Sequence, residues 1–463
     1  MNICFVVPDG TGIRNYLFSN IMNELKKKNA NIFIWHALTD NAIQEVKKLH
    51  PEIEIKSERL PGYKEGVKEK FLRESIAYAR LKHNTSLVDN DTIMVNWRKT
   101  PKKILLKLFF KLTAWYGGFL SKKYKRILRA DEKYRKIISN SQQLAEFKSY
   151  LQTNNIETVL CTHQRAITAI PAMEAANEEG VKTISAIYSW DNMPKARLNT
   201  RSRYYVVWSQ YMKEEVQKYY PEIDKANIVI TGTPQFEFYY DKKLISSREE
   251  FYERHNLNIE KKIICFSGDD LLTSPYDPEY LRDLALTIQA NKMDVQILLR
   301  RSPVDLSGRF DKVANDFKDI IKVSNPIWNF DGDNNGNWTL IYPTMDDVEL
   351  LVNTAYHCDT VYNVGSTMSH DFAMFDKPGI YINYDQKNDN KWSTKTIYKY
   401  QHFRSQLNFD AVVWISNKNE IYDQLNTVFE QPNSIAIDRK KWLDAIAQYR
   451  EESSSLIAEL MCS

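Results

Sequence analysis

Residues whose types suit chemistry gather at the ends of strand-like runs. In YNVGSTMSHDFAMFDKPGIYINYD, residues 361–384, a short β-rich run ends at Gly365, where the backbone must turn tightly. Ser366, Thr367 and Ser369 then open a helix, with Asp371 in its first or second turn and Lys377-Pro378 as its stop. Unpaired N–H groups and the dipole at such a helix start suit a phosphate or pyrophosphate, although an ordinary capped turn would use the same residues. In LLRRSPVD, 298–305, Arg300 or Arg301 could pair with phosphate through bidentate hydrogen bonds, or both could be solvated strand-end arginines. Ser267, Gly268 and Asp269 end the run KIICFSG and would face the same cleft. Three residues are candidate general bases. Asp191, in the turn WDNMP, could take a hydroxyl proton in a closed cleft or merely cap its own turn. His163, at the end of ETVLCT, and Asp9, in the loop PDGTG, are the other two.

The acidic loop FDGDNNGN, 330–337, contains an Asp-x-Asp whose hard oxygens could hold Mg²⁺ or Mn²⁺. Its Gly and Asn content reads first as a surface turn, so no metal is expected. Five cysteines (Cys4, Cys161, Cys265, Cys358, Cys462) fall singly, which indicates neither a disulfide framework nor a zinc site and suits a reducing cytosol. The formal charge of +4 says little about partners. The apolar run 2–7 stops at Asp9-Gly10-Thr11-Gly12, too early for a secretory signal, and no run of about twenty apolar residues is available to span a membrane.

These groups need elements to position them. At 463 residues the chain suits two or three domains. A strand over 3–7, an amphipathic helix over 14–28 and a strand over 31–35 predict a right-handed parallel unit of Rossmann type. The loop 9–14 would lie at the carboxyl end of its first strand, where open α/β sheets bind ligands, but Gly10-Thr11-Gly12 lacks the full dinucleotide spacing. Strand and helix alternate again from 156, a charged stretch over 241–261 marks a boundary, and a second βα series follows before a last helix over 439–460. The expected class is α/β, with two doubly wound parallel sheets facing across a cleft: domains 1–245 and 246–437, then a C-terminal helix within 438–463.

Residues 64–153 read as almost wholly helical and unusually basic. Within 102–129, Lys103, Lys107 and Lys111 recur every four residues and line one face, while Ile104, Leu105, Leu108, Phe109, Leu112, Trp115, Tyr116 and Phe119 cover the rest. Lys122, Lys123, Lys125, Arg126 and Arg129 follow. Such a helix either joins a core or lies in the plane of a membrane, and the basic block favours an anionic membrane surface, each lysine adding about 1 kcal/mol. Nucleic acid is not expected, because no binding module accompanies the basic block.

Three stretches resemble the GT-B glycosyltransferases, in particular the bacterial surface-polysaccharide branch related to CDP-glycerol glycerophosphotransferases. VVWSQYMKEEVQKYY…NIVITGTPQFEFY resembles that family's strand ending in Trp-Ser, its helix and its G-x-P-x-F/Y close. YNVGSTMSHDFAMFDKP resembles the donor-side strand, hydroxyl pair, Asp and Lys/Arg-Pro, and AIYSWDNMPK resembles the SWDN turn of a group of surface-carbohydrate enzymes. The resemblance is strongest over 157–240 and 340–385. It implies a C-terminal half that binds a nucleotide donor, an N-terminal half that binds the acceptor, and a final helix that crosses back to the first domain. Gly365, Ser366 and Thr367 would then hold the donor diphosphate beside Arg300, Arg301, Ser267 and Gly268, with Asp371 reaching a donor hydroxyl. Gly10, Gly12, Arg14, Trp190 and Asn192 would meet the acceptor. No cofactor is implied beyond a nucleotide-diphosphate sugar as co-substrate, and no metal. Two departures stand out: Ser302 replaces the histidine of a His-Pro pair, and WDNMP replaces WHGTP, which disfavours a glycerophosphate substrate. The expected function is a glycosyltransferase of bacterial surface-polysaccharide synthesis, acting from the cytosolic face on a glycan or lipid-linked acceptor, possible homo-oligomerisation being left open. A CDP-polyol phosphotransferase, a nucleotide-sugar 2-epimerase and a catalytically inactive sugar-nucleotide-binding scaffold are the alternatives.

Overall fold

The computed structural model describes residues 1–97, 101–331, 339–389 and 391–463. Runs such as NICFVV and KIICFS become strands because a parallel sheet covered on both faces buries every side chain, so its strands read as unbroken apolar runs. Seven strands build the first sheet: β1 (Asn2–Val7), β2 (Asn31–His36), β3 (Ile55–Arg59), β4 (Thr158–Cys161), β5 (Lys182–Ala186), β6 (Tyr204–Val207) and β7 (Ile228–Ile230). Their order is β3-β2-β1-β4-β5-β6-β7, and every pairing is parallel. Register pairs Ile3 with Ile32 on one side and with Thr158 on the other.

The second sheet draws on β8 (Lys262–Ser267), β9 (Val295–Arg300), β10 (Ile321–Ser324), β13 (Thr360–Asn363), β14 (Gly379–Ile382) and β15 (Val413–Ile415). Its order is β10-β9-β8-β13-β14-β15, again parallel throughout. Between them in sequence, β11 (Trp328–Phe330) and β12 (Ile341–Pro343) form a separate antiparallel pair. The molecule therefore carries two doubly wound parallel sheets, as the αβ alternation requires. Each sheet reverses its strand order once, between β1 and β4 and between β8 and β13. Crevices outside the carboxyl ends of strands open at such reversals.

Several helices differ from their expected form. The helix expected over 14–28 is a five-residue π turn, Ile13–Leu17, followed by a helix over Ile21–Lys27. Ile13, Tyr16, Leu17 and Phe18 are all buried there, so packing outweighs the regular period. The basic segment 102–129 is two helices, Ile104–Ser121 and Tyr124–Ser139, broken at Lys122-Lys123. With Val67–Val88 they cover the face of the first sheet that presents Cys4, Val6, Phe33 and Trp35. The single helix expected over 439–460 is likewise two, Arg439–Ile446 and Ser453–Cys462. At the break, Tyr449 takes a φ of 50° and Gln448 N–H donates to Trp208 O at 2.8 Å. Arg439 pairs with Asp376 at 2.8 Å beside the second sheet, whereas the Ser454 hydroxyl donates to Glu237 at 2.5 Å beside the first. Among the described residues, no helix is long and apolar enough to cross a membrane.

Candidate functional site

Both order reversals place chemically useful residues on the same crevice. Asp9 and Arg14 follow β1, His163 follows β4, Ser267–Asp269 follow β8, and Gly365–Thr367 follow β13. The loops of the two domains face each other, and two abutting cavities lie between them. The first, about 390 Å³, is lined by Arg14, Tyr188, Ser267, Gly268, Arg300, Arg301, Ser366, Thr367 and Asp371, among others. The second, about 530 Å³, is lined by Arg165, Asp191, Lys195, Gly365, His402 and others. Trp190, Asp269, Ser366 and Thr367 belong to both.

Arg300 closes β9 and is 6% exposed. Its Nη2 donates to both oxygens of Asp347, at 3.0 and 3.1 Å, while its Nη1 has no partner among the described residues. Asp347 is held in turn by Ile327 N–H at 2.9 Å and Trp328 Nε1 at 2.8 Å. The guanidinium is thus fixed, with a donor to spare. Arg301 is spoken for: it pairs with Asp311 at 3.0 Å and with Asn325. The Ser267 hydroxyl reaches Ser366 Oγ at 3.3 Å. Gly365 has a φ of 67°, and a Cβ there would lie 2.7 Å from the Phe403 ring, so the turn tolerates little else. The helix that follows spans only Met368–Ala373, shorter than expected, and Thr367 makes no side-chain cap. Its dipole is correspondingly small, so Arg300 contributes more positive charge to this wall than the helix start does. Asp371 accepts from Tyr239 OH at 2.7 Å, across the junction from the turn after β7. Burial raises its pKa, partly offset by that hydrogen bond and by the charges of Arg14 and Arg300.

Asp269 stands in the wall common to both cavities. Burial, reinforced by the neighbouring Asp277 carboxylate, pushes its pKa up to about 7. A carboxyl that titrates near neutrality can both take and return a proton. Asp191, by contrast, receives hydrogen bonds from Ser189 at 2.8 Å and Asn192 at 2.9 Å and pairs with Lys195. Burial opposes its charge, but Lys195 and His402 together hold the pKa well below the usual carboxylate range. A carboxylate so stabilised is a poor base. Asp9 and His163 form a pair the sequence did not announce: His163 Nδ1 lies 2.7 Å from Asp9 Oδ2. Burial works against the Asp9 charge, yet the His163 contact and Thr11 bring its pKa below the ordinary value. His163 Nε2 is buried without a partner among the described residues, and the ring stands edge-on to Tyr188, with centroids 4.6 Å apart. Neither Asp9 nor His163 is in the lining of these two cavities; Tyr188, which packs on His163, lines the first.

Three acceptor-side expectations are corrected. Gly10 and Gly12 are buried in the turn capped by Asp9, and a Cβ on Gly12 would sit 2.6 Å from Thr162, so that glycine serves close packing. Asn192 is buried between Gln164 and Asp191 and faces neither cavity. Trp190 lines both cavities, but it is 2% exposed and its ring stands nearly perpendicular to those of His370, His402, Phe403 and Trp442. It is a junction residue and offers no open face for a sugar. Arg14 does line the first cavity, donating to Gln235 at 3.2 Å. In the acidic loop, Asp331 takes hydrogen bonds from Thr39 and Asn41 of the first domain; residues 332–338 of the Asp-x-Asp reading lie outside the described residues.

Sequence reasoning missed Asp347, the partner of Arg300, and the two cluster histidines. Burial lowers His370 to about 3 and His402 to about 4, so both are neutral at pH 7. Thr344-x-x-Asp347 was a readable signal, since Thr344 caps that helix and accepts from Asp347 N–H at 3.2 Å.

No protein-family model and no curated protein matches the chain. Solved structures do. A UDP-GlcNAc 2-epimerase from Methanocaldococcus jannaschii superposes with a TM-score of 0.54 at 10% identity, covering 99% of both chains. S. aureus MnaA, solved with UDP, gives 0.52 at 11% identity over 98% of this chain and 94% of that one. At such identities the likeness is one of fold, and the fold is GT-B. The finer resemblance to the CDP-glycerol branch rests on the motifs alone.

Proposed function

We propose that the chain is an enzyme that moves a sugar from a nucleotide-diphosphate donor to a hydroxyl of a glycan or lipid-linked acceptor. The observation that carries this reading is the pair of abutting cavities with Asp269, Ser366 and Thr367 in their common wall. The first cavity supplies what a diphosphate needs: the Arg300 guanidinium with an unused donor, the Ser366 turn and Arg14. The second leaves room for another substrate. In the transfer, the bond between the sugar carbon and the phosphate oxygen breaks while the acceptor oxygen bonds to that carbon. Arg300 stabilises the departing diphosphate. Asp269, in the wall of both cavities, takes the acceptor proton; the His163–Asp9 pair lines neither cavity and would act as a base only if Tyr188 moved aside.

The epimerase neighbours favour a second reading, in which one nucleotide sugar is rearranged with no acceptor. MnaA was solved with UDP, so uridine nucleotides are the first to try. The test is thermal stability against UDP-, GDP-, CDP- and TDP-linked sugars, with product analysis in the same samples. Stabilisation by one class, lost in Ser366→Ala/Thr367→Ala, together with acceptor-dependent release of the diphosphate, supports transfer. A 2-epimer formed without acceptor replaces transfer by epimerisation. Binding without turnover leaves a scaffold, and no binding by any nucleotide sugar refutes the site.

A further inference from the structure

We propose that the outward face of the helix Ile104–Ser121 docks on an anionic lipid bilayer. This is independent of the reaction assigned above, since the helix contributes to neither cavity. The helix is firmly seated on one side. Thr113, Gly117 and Leu120 are buried, Phe71 stacks on Tyr116 at 5.6 Å, and a Cβ on Gly117 would lie 2.6 Å from Ser75 O on the helix Val67–Val88. Its opposite face is largely bare among the described residues, apart from the Arg126 guanidinium 4.2 Å over the Phe119 ring. Ile104 and Leu105 are each 81% exposed, Trp115 74%, Leu108 54%, Leu112 49% and Phe119 47%.

At about 100° per residue these six project onto one arc roughly 100° wide. Lys103, Lys107 and Lys111 run along one border of that arc, and the exposed Lys122, Lys123 and Lys125 follow its C-terminal end. From Thr92 to Ala130 the chain contains no Asp or Glu at all. An apolar stripe edged by cations on one seated helix fits a surface that is greasy below and negative at its rim, which describes an anionic headgroup layer over acyl chains. A protein groove would offer the grease but has no reason to demand this charge. A patch of this size left bare in water would otherwise invite aggregation.

The test uses the full chain and vesicles of phosphatidylcholine alone or mixed with phosphatidylglycerol, followed by flotation. The protein should float with the mixed vesicles and stay behind with the neutral ones, and added salt should release it. Leu108→Ser/Leu112→Ser/Trp115→Ser should abolish flotation while the protein stays folded, because these side chains are about half or more exposed and lie outside the buried arc of the helix. Lys122→Ser/Lys123→Ser/Lys125→Ser should weaken it about a hundredfold, at about fivefold per lysine. Wild-type protein that ignores the mixed vesicles overturns the proposal, as does a serine variant that floats unchanged. If the wild type instead self-associates without lipid and the serine variant is monomeric, the face belongs to a second copy and the proposal falls.

Discussion

Replacing Arg300 by lysine separates the anion site from the fold that carries it. The wild-type guanidinium spends Nη2 on Asp347 and keeps Nη1 unpartnered. Arg300→Met would strand the Asp347 carboxylate, and breaking a buried pair in that way costs about 3–5 kcal/mol of stability, which would confuse any binding measurement. Lysine keeps the charge and can satisfy Asp347, but it has no planar fork from which to offer a second directed donor. The variant should therefore fold and lose one charge-assisted hydrogen bond to the ligand, worth about 1.5–3 kcal/mol. A central figure of about 2 kcal/mol corresponds to roughly a 30-fold weaker Kd.

Thermal shift reads this directly. A nucleotide sugar at about 100 times the wild-type Kd stabilises by about 2.7 kcal/mol. At the same concentration the variant sees only about three times its own Kd, and the stabilisation falls to about 0.9 kcal/mol. Titration calorimetry with the bare nucleoside diphosphate should show the same loss, because the missing contact is to phosphate and not to sugar. If Arg300→Lys binds as tightly as wild type, the arginine is structural and the diphosphate lies elsewhere.

Three further outcomes follow from the same geometry. Asp269→Asn should leave nucleotide binding intact, lower turnover by about 10²–10⁴-fold and remove the pH dependence of kcat near 7, whereas Asp191→Asn should leave the pH profile where it was; a profile unmoved by Asp269→Asn refutes Asp269 as the base. Trp190→Ala should cost about 3–5 kcal/mol, since this first-domain ring is enclosed by aromatic groups of the second domain and the C-terminal helices, and a loss under 1 kcal/mol in urea unfolding would contradict that packing. His370, lowered from 6.5 to about 3 by burial, binds a proton more readily unfolded than folded, so its contribution to stability is complete above about pH 6.5 and drains away as pH falls; at pH 5 the loss is about 2 kcal/mol, and His370→Gln should flatten the melting temperature between pH 7 and 5.

Much of the scaffold was legible because burial on both sheet faces writes strands as apolar runs, and Gly365 and Gly268 sit where those runs must end. The loops that line the crevice were legible for the same reason. Their pairings were not. Asp9 and His163 are 154 residues apart, and only the reversal of strand order between β1 and β4 brings them to 2.7 Å. Arg300 and Asp347 meet because β9 ends beside the start of a helix 47 residues on. Asp191 looked like a base because a carboxylate in a turn is all that WDNMP displays. Lys195, four residues later, is in the sequence too, but that it closes on the carboxylate depends on the short helical turn Met193–Lys195. Asp269 shows the reverse case: nothing in SGDD separates the first aspartate from the second, and burial against Asp277 is what moves its titration to the useful range.

The helix Ile104–Ser121 marks the sharper limit of pattern reading. Its residues are apolar over most of the circumference, so periodicity alone cannot say which arc is covered. Three-dimensional packing decides it through small residues: Gly117 and Thr113 let the helix sit flush on Val67–Val88, and that contact uses the arc of Phe109, Tyr116 and Leu120. Once that arc is taken, the leucines and Trp115 on the other side stay exposed among the described residues, and the lysine stripe beside them supplies a direction for a partner. Amphipathicity here lies in what the rest of the fold declines to cover, which is why it appears only after the neighbouring helix has been placed.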